Sequence, residues 1–106
     1  FIALVMTTFA STNNKGFQMT FENGWTISVQ FGHGNYCSNR NHPDGWNASK
    51  NVGYFSCPDA EIAIWDSAGE HYTFEHEHDV AKGYCSADEV AEWIFRVSHP
   101  EFGSTK

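Results

Sequence analysis

Phe17-Gln18-Met19-Thr20-Phe21-Glu22-Asn23-Gly24-Trp25-Thr26-Ile27-Ser28-Val29-Gln30-Phe31 is the stretch whose reading decides the fold. Its apolar side chains occupy the odd positions on both sides of Asn23-Gly24. A period of two belongs to a strand with one buried face, and Asn-Gly between two such runs is a strong hairpin signal. Register separates the possible turns. A two-residue loop sets Phe21 opposite Thr26 and Met19 opposite Ser28, which throws the two apolar sets onto opposite faces. A three-residue loop, Glu22-Asn23-Gly24, sets Phe21 opposite Trp25, Met19 opposite Ile27 and Phe17 opposite Val29. All seven apolar side chains then share one face. The expectation is a type I turn with Gly24 left-handed at a G1 bulge.

A second hairpin is expected over 60–74, where a Ser67-Ala68-Gly69 loop sets Ile64 opposite Tyr72 and Ile62 opposite Phe74. Gly69 repeats the role of Gly24, and Trp65 falls on the other face, where it needs a cover or a partner. A helix start is marked by Ser86 with Glu89 three residues on, a capping box, and Asp88 suits the positive end of the helix dipole. Val90, Trp93, Ile94 and Val97 form one apolar stripe. Pro100 disfavours helical geometry at His99, so the helix should end near Ser98. The predicted class is α+β: one domain over 1–106, a four-stranded antiparallel sheet of two hairpins, and one C-terminal helix packed on its apolar face. Residues 1–6 read as a short edge strand or as disordered, 10–16 as a polar turn segment, and 32–58 as a long irregular loop with a short strand at 52–55. Long ordered loops are often functional.

At 106 residues the chain can bury one modest core. The aromatic share of 16% argues for a packed globule. A formal charge of −7 and a pI near 5.1 argue against a duplex nucleic-acid binder, which needs a basic stripe. The six Lys and Arg are scattered, so no polybasic membrane patch forms, and no apolar run reaches the roughly 20 residues of a membrane span. Residues 1–6 are too short for a signal peptide, and Met6 reads as a plausible original initiator. Cys37, Cys57 and Cys85 make an odd count with no CxxC pair. Reduced thiols are the default, although a Cys37–Cys57 bridge would bracket the long loop.

Residues 19–40, 60–66 and 83–94 together resemble small proteins carried by bacteriophages and by mobile elements of the integron gene-cassette type. The resemblance covers most of 17–97. It implies a bacterial, cytoplasmic accessory protein, and it brings no catalytic residue with it.

Chemistry-bearing residues gather in two places. His76-Glu77-His78-Asp79, with His71 before and Cys85 after, offers zinc donors, but at no standard spacing. A solvated charged turn explains His76 and His78 better. In the long loop Cys37 lies near His33, His42, Asn35 and Asp44, the residue types of a thiol triad, although such triads usually assemble from distant segments. Gly32-His33-Gly34 follows a strand but opens no helix, so it reads as a turn rather than a phosphate loop. Asn47-Ala48-Ser49 matches a glycosylation sequon that has meaning only in a secreted eukaryotic protein. Tyr36, Trp46, Tyr54, Phe55 and Trp65, with Arg40, have the composition of an interface; alternatively the loop folds back and buries them.

The sequence therefore points to a non-enzymatic protein-binding module with no cofactor, no metal and no catalytic residue. It would act through loop 33–55 and the outer sheet face, using Tyr36, Arg40, Trp46, Tyr54 and Trp65, with a homodimer covering Trp65. The alternative is a small metal-dependent or thiol enzyme, or a ligand binder. Its groups would be Cys37, His33 and His42, or His76, His78 and Cys85 as metal ligands. Nucleic-acid mimicry by the acidic surface is a third reading.

Overall fold

The computed structural model describes residues 6–12, 15–42 and 55–103. Among these the chain forms strands β1 (Thr8–Ser11), β2 (Gly16–Thr20), β3 (Thr26–Gln30), β4 (Asp59–Trp65) and β5 (Lys82–Ser86), followed by helix α1 (Ala87–Val97). The sheet is antiparallel throughout, in the order β1-β2-β3-β4-β5. The fold is α+β. No helix among the described residues is long and apolar enough to cross a membrane.

The first hairpin forms with the three-residue loop. Phe21 N donates to Trp25 O at 2.9 Å, Gly24 N donates to Phe21 O at 2.9 Å, and Gly24 has φ +92°. Met19 faces Ile27 and Phe17 faces Val29. The β3–β4 register sets Ile27 beside Ile64 and Val29 beside Ile62. These residues, with Ala60, Cys85, Val90 and Val97, make the buried core, and Trp93 and Ile94 pack against it. Helix α1 starts as expected, with Ser86 Oγ accepting from Glu89 N at 3.1 Å, and ends at the cap Ser98.

The strand count is five rather than four. Ala10 and Ser11, read as turn, belong to a strand whose Phe9 faces Met19 and whose Ser11 faces Phe17. Their polar composition reflects an edge strand whose four residues are all exposed, since an edge strand has little apolar surface to bury. The second hairpin also needs correction. Its turn is right: Gly69 has φ +85°, and Tyr72 N donates to Ile64 O at 2.8 Å. The ladder then stops. Tyr72 and Phe74 leave β4 to pack edge-on against Trp93, at 5.8 and 5.2 Å between ring centroids, and Tyr72 also meets Phe102 at 5.3 Å. Burying two large rings against the helix outweighs two more ladder bonds. The vacated place beside β4 is taken by β5, with Cys85 opposite Ala60.

Candidate functional site

The site begins with the chain leaving β3. Residues 32–42 form a compact knob held by its own polar groups. Gly32 N donates to Asn35 Oδ1 at 2.9 Å, Gly34 N donates to Arg40 O at 3.1 Å, and Gly34 has φ +89°. Asn39 Nδ2 donates both to Phe31 O and to Ser56 O at 3.0 Å, tying the knob to the segment before β4. Tyr84 N, on β5, donates to Tyr36 O at 2.9 Å, so the knob also covers part of the β5 edge. Tyr84 takes φ +57° there, beside the irregular β4–β5 register.

At the centre lies Cys37, 1% exposed. Its Sγ, the Sγ of Cys57 and a carboxylate oxygen of Asp59 all lie within 4.8 Å of one another. Cys57 Sγ is 3.6 Å from Asp59 Oδ1. Ser38 fixes the carboxylate from both sides: its N donates to Oδ1 at 2.6 Å and its Oγ donates to Oδ2 at 2.8 Å. The Ser38 backbone N–H therefore holds Asp59 below its ordinary pKa of 3.8. Burial pushes the Cys37 thiol up to about 11, and the neighbouring Cys57 and Asp59 act in the same direction.

Beside this cluster runs an apolar groove of about 390 Å³ between the sheet and α1. Phe17, Val29, Phe31, Phe55, Val90 and Ile94 line it, together with Cys57 and Asp59. The exposed residues of its lining are Ala87 and Ala91 on the helix and Ser56 and Pro58 on the segment before β4.

Of the residues singled out from sequence, the structure gathers some and separates others. Cys37 meets Cys57 and Asp59, two partners that sequence spacing did not single out as a site; neither His33 nor His42 joins that 4.8 Å group. Both histidines are half-buried in the knob, and the His42 ring lies 6.3 Å from that of Phe55. Tyr36 and Arg40 come together, with the guanidinium carbon 4.2 Å from the ring centroid. Trp65 is half-buried on the sheet face away from α1, its ring 5.5 Å from His71. His76, His78 and Cys85 do not converge: the histidines are exposed, whereas Cys85 is buried in the core. Burial raises the Cys85 thiol to about 11. Trp46, Tyr54 and Asp44 lie outside the described residues.

The outer sheet face is polar rather than apolar. Thr20 and Thr26 share a hydroxyl hydrogen bond at 2.8 Å, Gln30 Nε2 donates to Ser28 Oγ at 2.9 Å, and Thr12 Oγ1 donates to Gln30 Oε1 at 2.7 Å. No family model matches this chain, and no curated protein and no solved structure matches it either.

Proposed function

We propose that the chain is a non-enzymatic protein-binding module that receives an apolar segment of a partner protein in the groove between α1 and residues 55–58. The groove itself carries this reading, because it is apolar, formed between fixed elements and open along the helix. Ala87 and Ala91, exposed on its helix side, leave room for a partner's backbone. Phe95, one helical turn past Ala91 and 74% exposed, prolongs the apolar strip. A strip of that length suits a peptide segment with spaced anchors better than a compact small molecule. The stacked pair Tyr36 and Arg40, on the knob that meets the groove through Cys37 and Cys57, adds side chains favoured at binding hot spots. In this reading the described part of the loop, residues 33–42, contributes to the binding surface. The polar outer sheet face gives less support, since its side chains satisfy one another. The likeness to mobile-element proteins, with bacterial cytoplasm as the setting, belongs to the same proposal.

Quantitative affinity capture from bacterial lysate tests it, comparing the natural chain with Ala91→Leu, which obstructs the groove from an exposed position. A partner held by the natural chain and reduced at least about tenfold by the substitution, a difference of about 1.4 kcal/mol, supports the reading. Equal recovery by both proteins contradicts it.

One observation favours self-association as a second reading. The sheet ends on β1, all four of whose residues are exposed, with Phe9 at 78% and neighbouring Met6 at 77%. Two copies pairing their β1 strands about a two-fold axis would continue the sheet and cover Phe9. Light scattering should then give a dimer that Phe9→Lys dissociates. A monomeric natural chain contradicts the pairing.

A further inference from the structure

We propose that Cys37, Cys57 and Asp59 form a binding site for a thiophilic divalent cation of the zinc type, beside the groove. This goes beyond the partner-binding reading and stands without it. The donor set is two thiols and one carboxylate within 4.8 Å of one another. Tetrahedral zinc, with Zn–S of about 2.3 Å and Zn–O of about 2.1 Å, sets sulfur and oxygen about 3.6 Å apart and two sulfurs about 3.8 Å apart. Cys57 Sγ and Asp59 Oδ1 already stand at 3.6 Å. The carboxylate is held by Ser38 N and Ser38 Oγ, the outer support that metal ligands usually have. Two thiolates and a carboxylate provide three negative donors for a dication, and water fills the fourth position.

The competing use of a close thiol pair is reversible disulfide formation. The surroundings disfavour it. Disulfide exchange proceeds through an accessible thiolate, and Cys37 is only 1% exposed, shielded from oxidants and thiols in solution. Placing a carboxylate beside two thiols raises the cost of an anion there. A dication reverses that cost, because it draws off both thiol protons and is attracted by all three groups. Nothing in disulfide chemistry calls for Asp59 or for the two hydrogen bonds that orient it.

Titration of the reduced chain with Co²⁺ reads the site directly. The expected result is a near-ultraviolet thiolate-to-cobalt charge-transfer band saturating at one equivalent, with visible bands of tetrahedral intensity. Zn²⁺ displaces the cobalt, and protons are released on binding. Cys57→Ser should remove about half of the charge-transfer intensity or all of it, and Asp59→Asn should weaken Co²⁺ binding at least about tenfold. Cys85→Ser, whose thiol is buried in the core and does not belong to the 4.8 Å group, should leave the spectrum unchanged. Because Cys37 is buried, Cys37→Ser can fail to fold; Cys57 and Asp59 are only half-buried, and their variants decide the matter, with circular dichroism confirming the fold. Absence of a charge-transfer band in the natural chain overturns the proposal. So does a band that survives Cys57→Ser at full intensity, or a chain that forms the Cys37–Cys57 disulfide in air and binds no Co²⁺ when reduced.

Discussion

Asn23, in the turn of the first hairpin, holds the end of α1: its Nδ2 lies 2.7 Å from the carbonyl oxygen of Val97 and 2.7 Å from that of His99. Carbonyls at a helix C-terminus have no partner within the helix, so one side chain satisfies two groups that the sheet and helix would otherwise leave open. Its Oδ1 also accepts from Trp25 N at 2.9 Å. Asn23→Ala should cost about 1–3 kcal/mol in urea denaturation. Asn23→Asp keeps the acceptor for Trp25 but sets a negative charge against two carbonyls at the negative end of the helix dipole, and should cost at least as much. A loss below about 0.5 kcal/mol for Ala would contradict this role.

Gly83 seats the knob on β5. A Cβ there would stand 2.6 Å from Tyr36 Cβ and 2.9 Å from Tyr36 O, the acceptor of the Tyr84 N–H. Gly83→Ala should push residues 32–42 off the strand, with a loss of roughly 1–3 kcal/mol. Hydrogen exchange at the Tyr84 amide should accelerate, and labelling of Cys37 by a thiol reagent should become faster. Unchanged exchange at Tyr84 would contradict the contact.

The buried thiols give an alkaline limit to stability. Unfolded, Cys37 and Cys85 ionise near the ordinary value of 9.0; folded, both hold their protons to about 11. The unfolded chain therefore loses these protons first. Stability from this source is complete below pH 9 and falls as pH rises from about 9 to about 11, by up to about 3 kcal/mol for each thiol. Denaturant melts across that range check it. Cys85→Ala should flatten part of the fall even as it lowers stability at neutral pH by leaving a cavity.

Trp65 is the residue that most strongly suggests an exposed docking face in the sequence, and its surroundings change that expectation. It stands opposite Thr26 on β3, and His71 packs on its ring. Trp65→Ser should reduce stability by about 1–2 kcal/mol through lost burial. The molar mass by light scattering should stay the same, whereas a dimer lost on this substitution would place the interface on the outer sheet face.

The parts of the fold legible in the sequence are those fixed by local chemistry. Gly24 and Gly69 each require a left-handed conformation in a three-residue loop, and Ser86 with Glu89 marks a helix start on its own. The missed parts depend on competition between distant segments. Residues 72–74 alternate as a strand should, yet Trp93 and Phe102 offer their rings more burial than β4 does. Lys82–Ser86 shows no alternation of apolar side chains that would mark a strand, and β5 is defined by its register with β4. The site was half visible. Cys37 stands out in a polar loop, but its partners Cys57 and Asp59 arrive with β4, whereas His33 and His42 lie nearer to it in sequence. The pairing of Cys37 with Cys57 across the long loop was the one available signal.

Chemical-shift mapping of the ¹⁵N-labelled chain with short peptides tests the binding account most directly, using one bearing spaced Leu and Phe anchors and the same peptide with Ser at those positions. The expected result is that the apolar peptide alone shifts the amides of Cys57, Ala87, Ala91 and Phe95, and that Ala91→Leu abolishes the shifts. Shifts confined to Thr26, Ser28 and Trp65 on the outer sheet face, or none at any amide, would contradict a partner-binding groove beside α1.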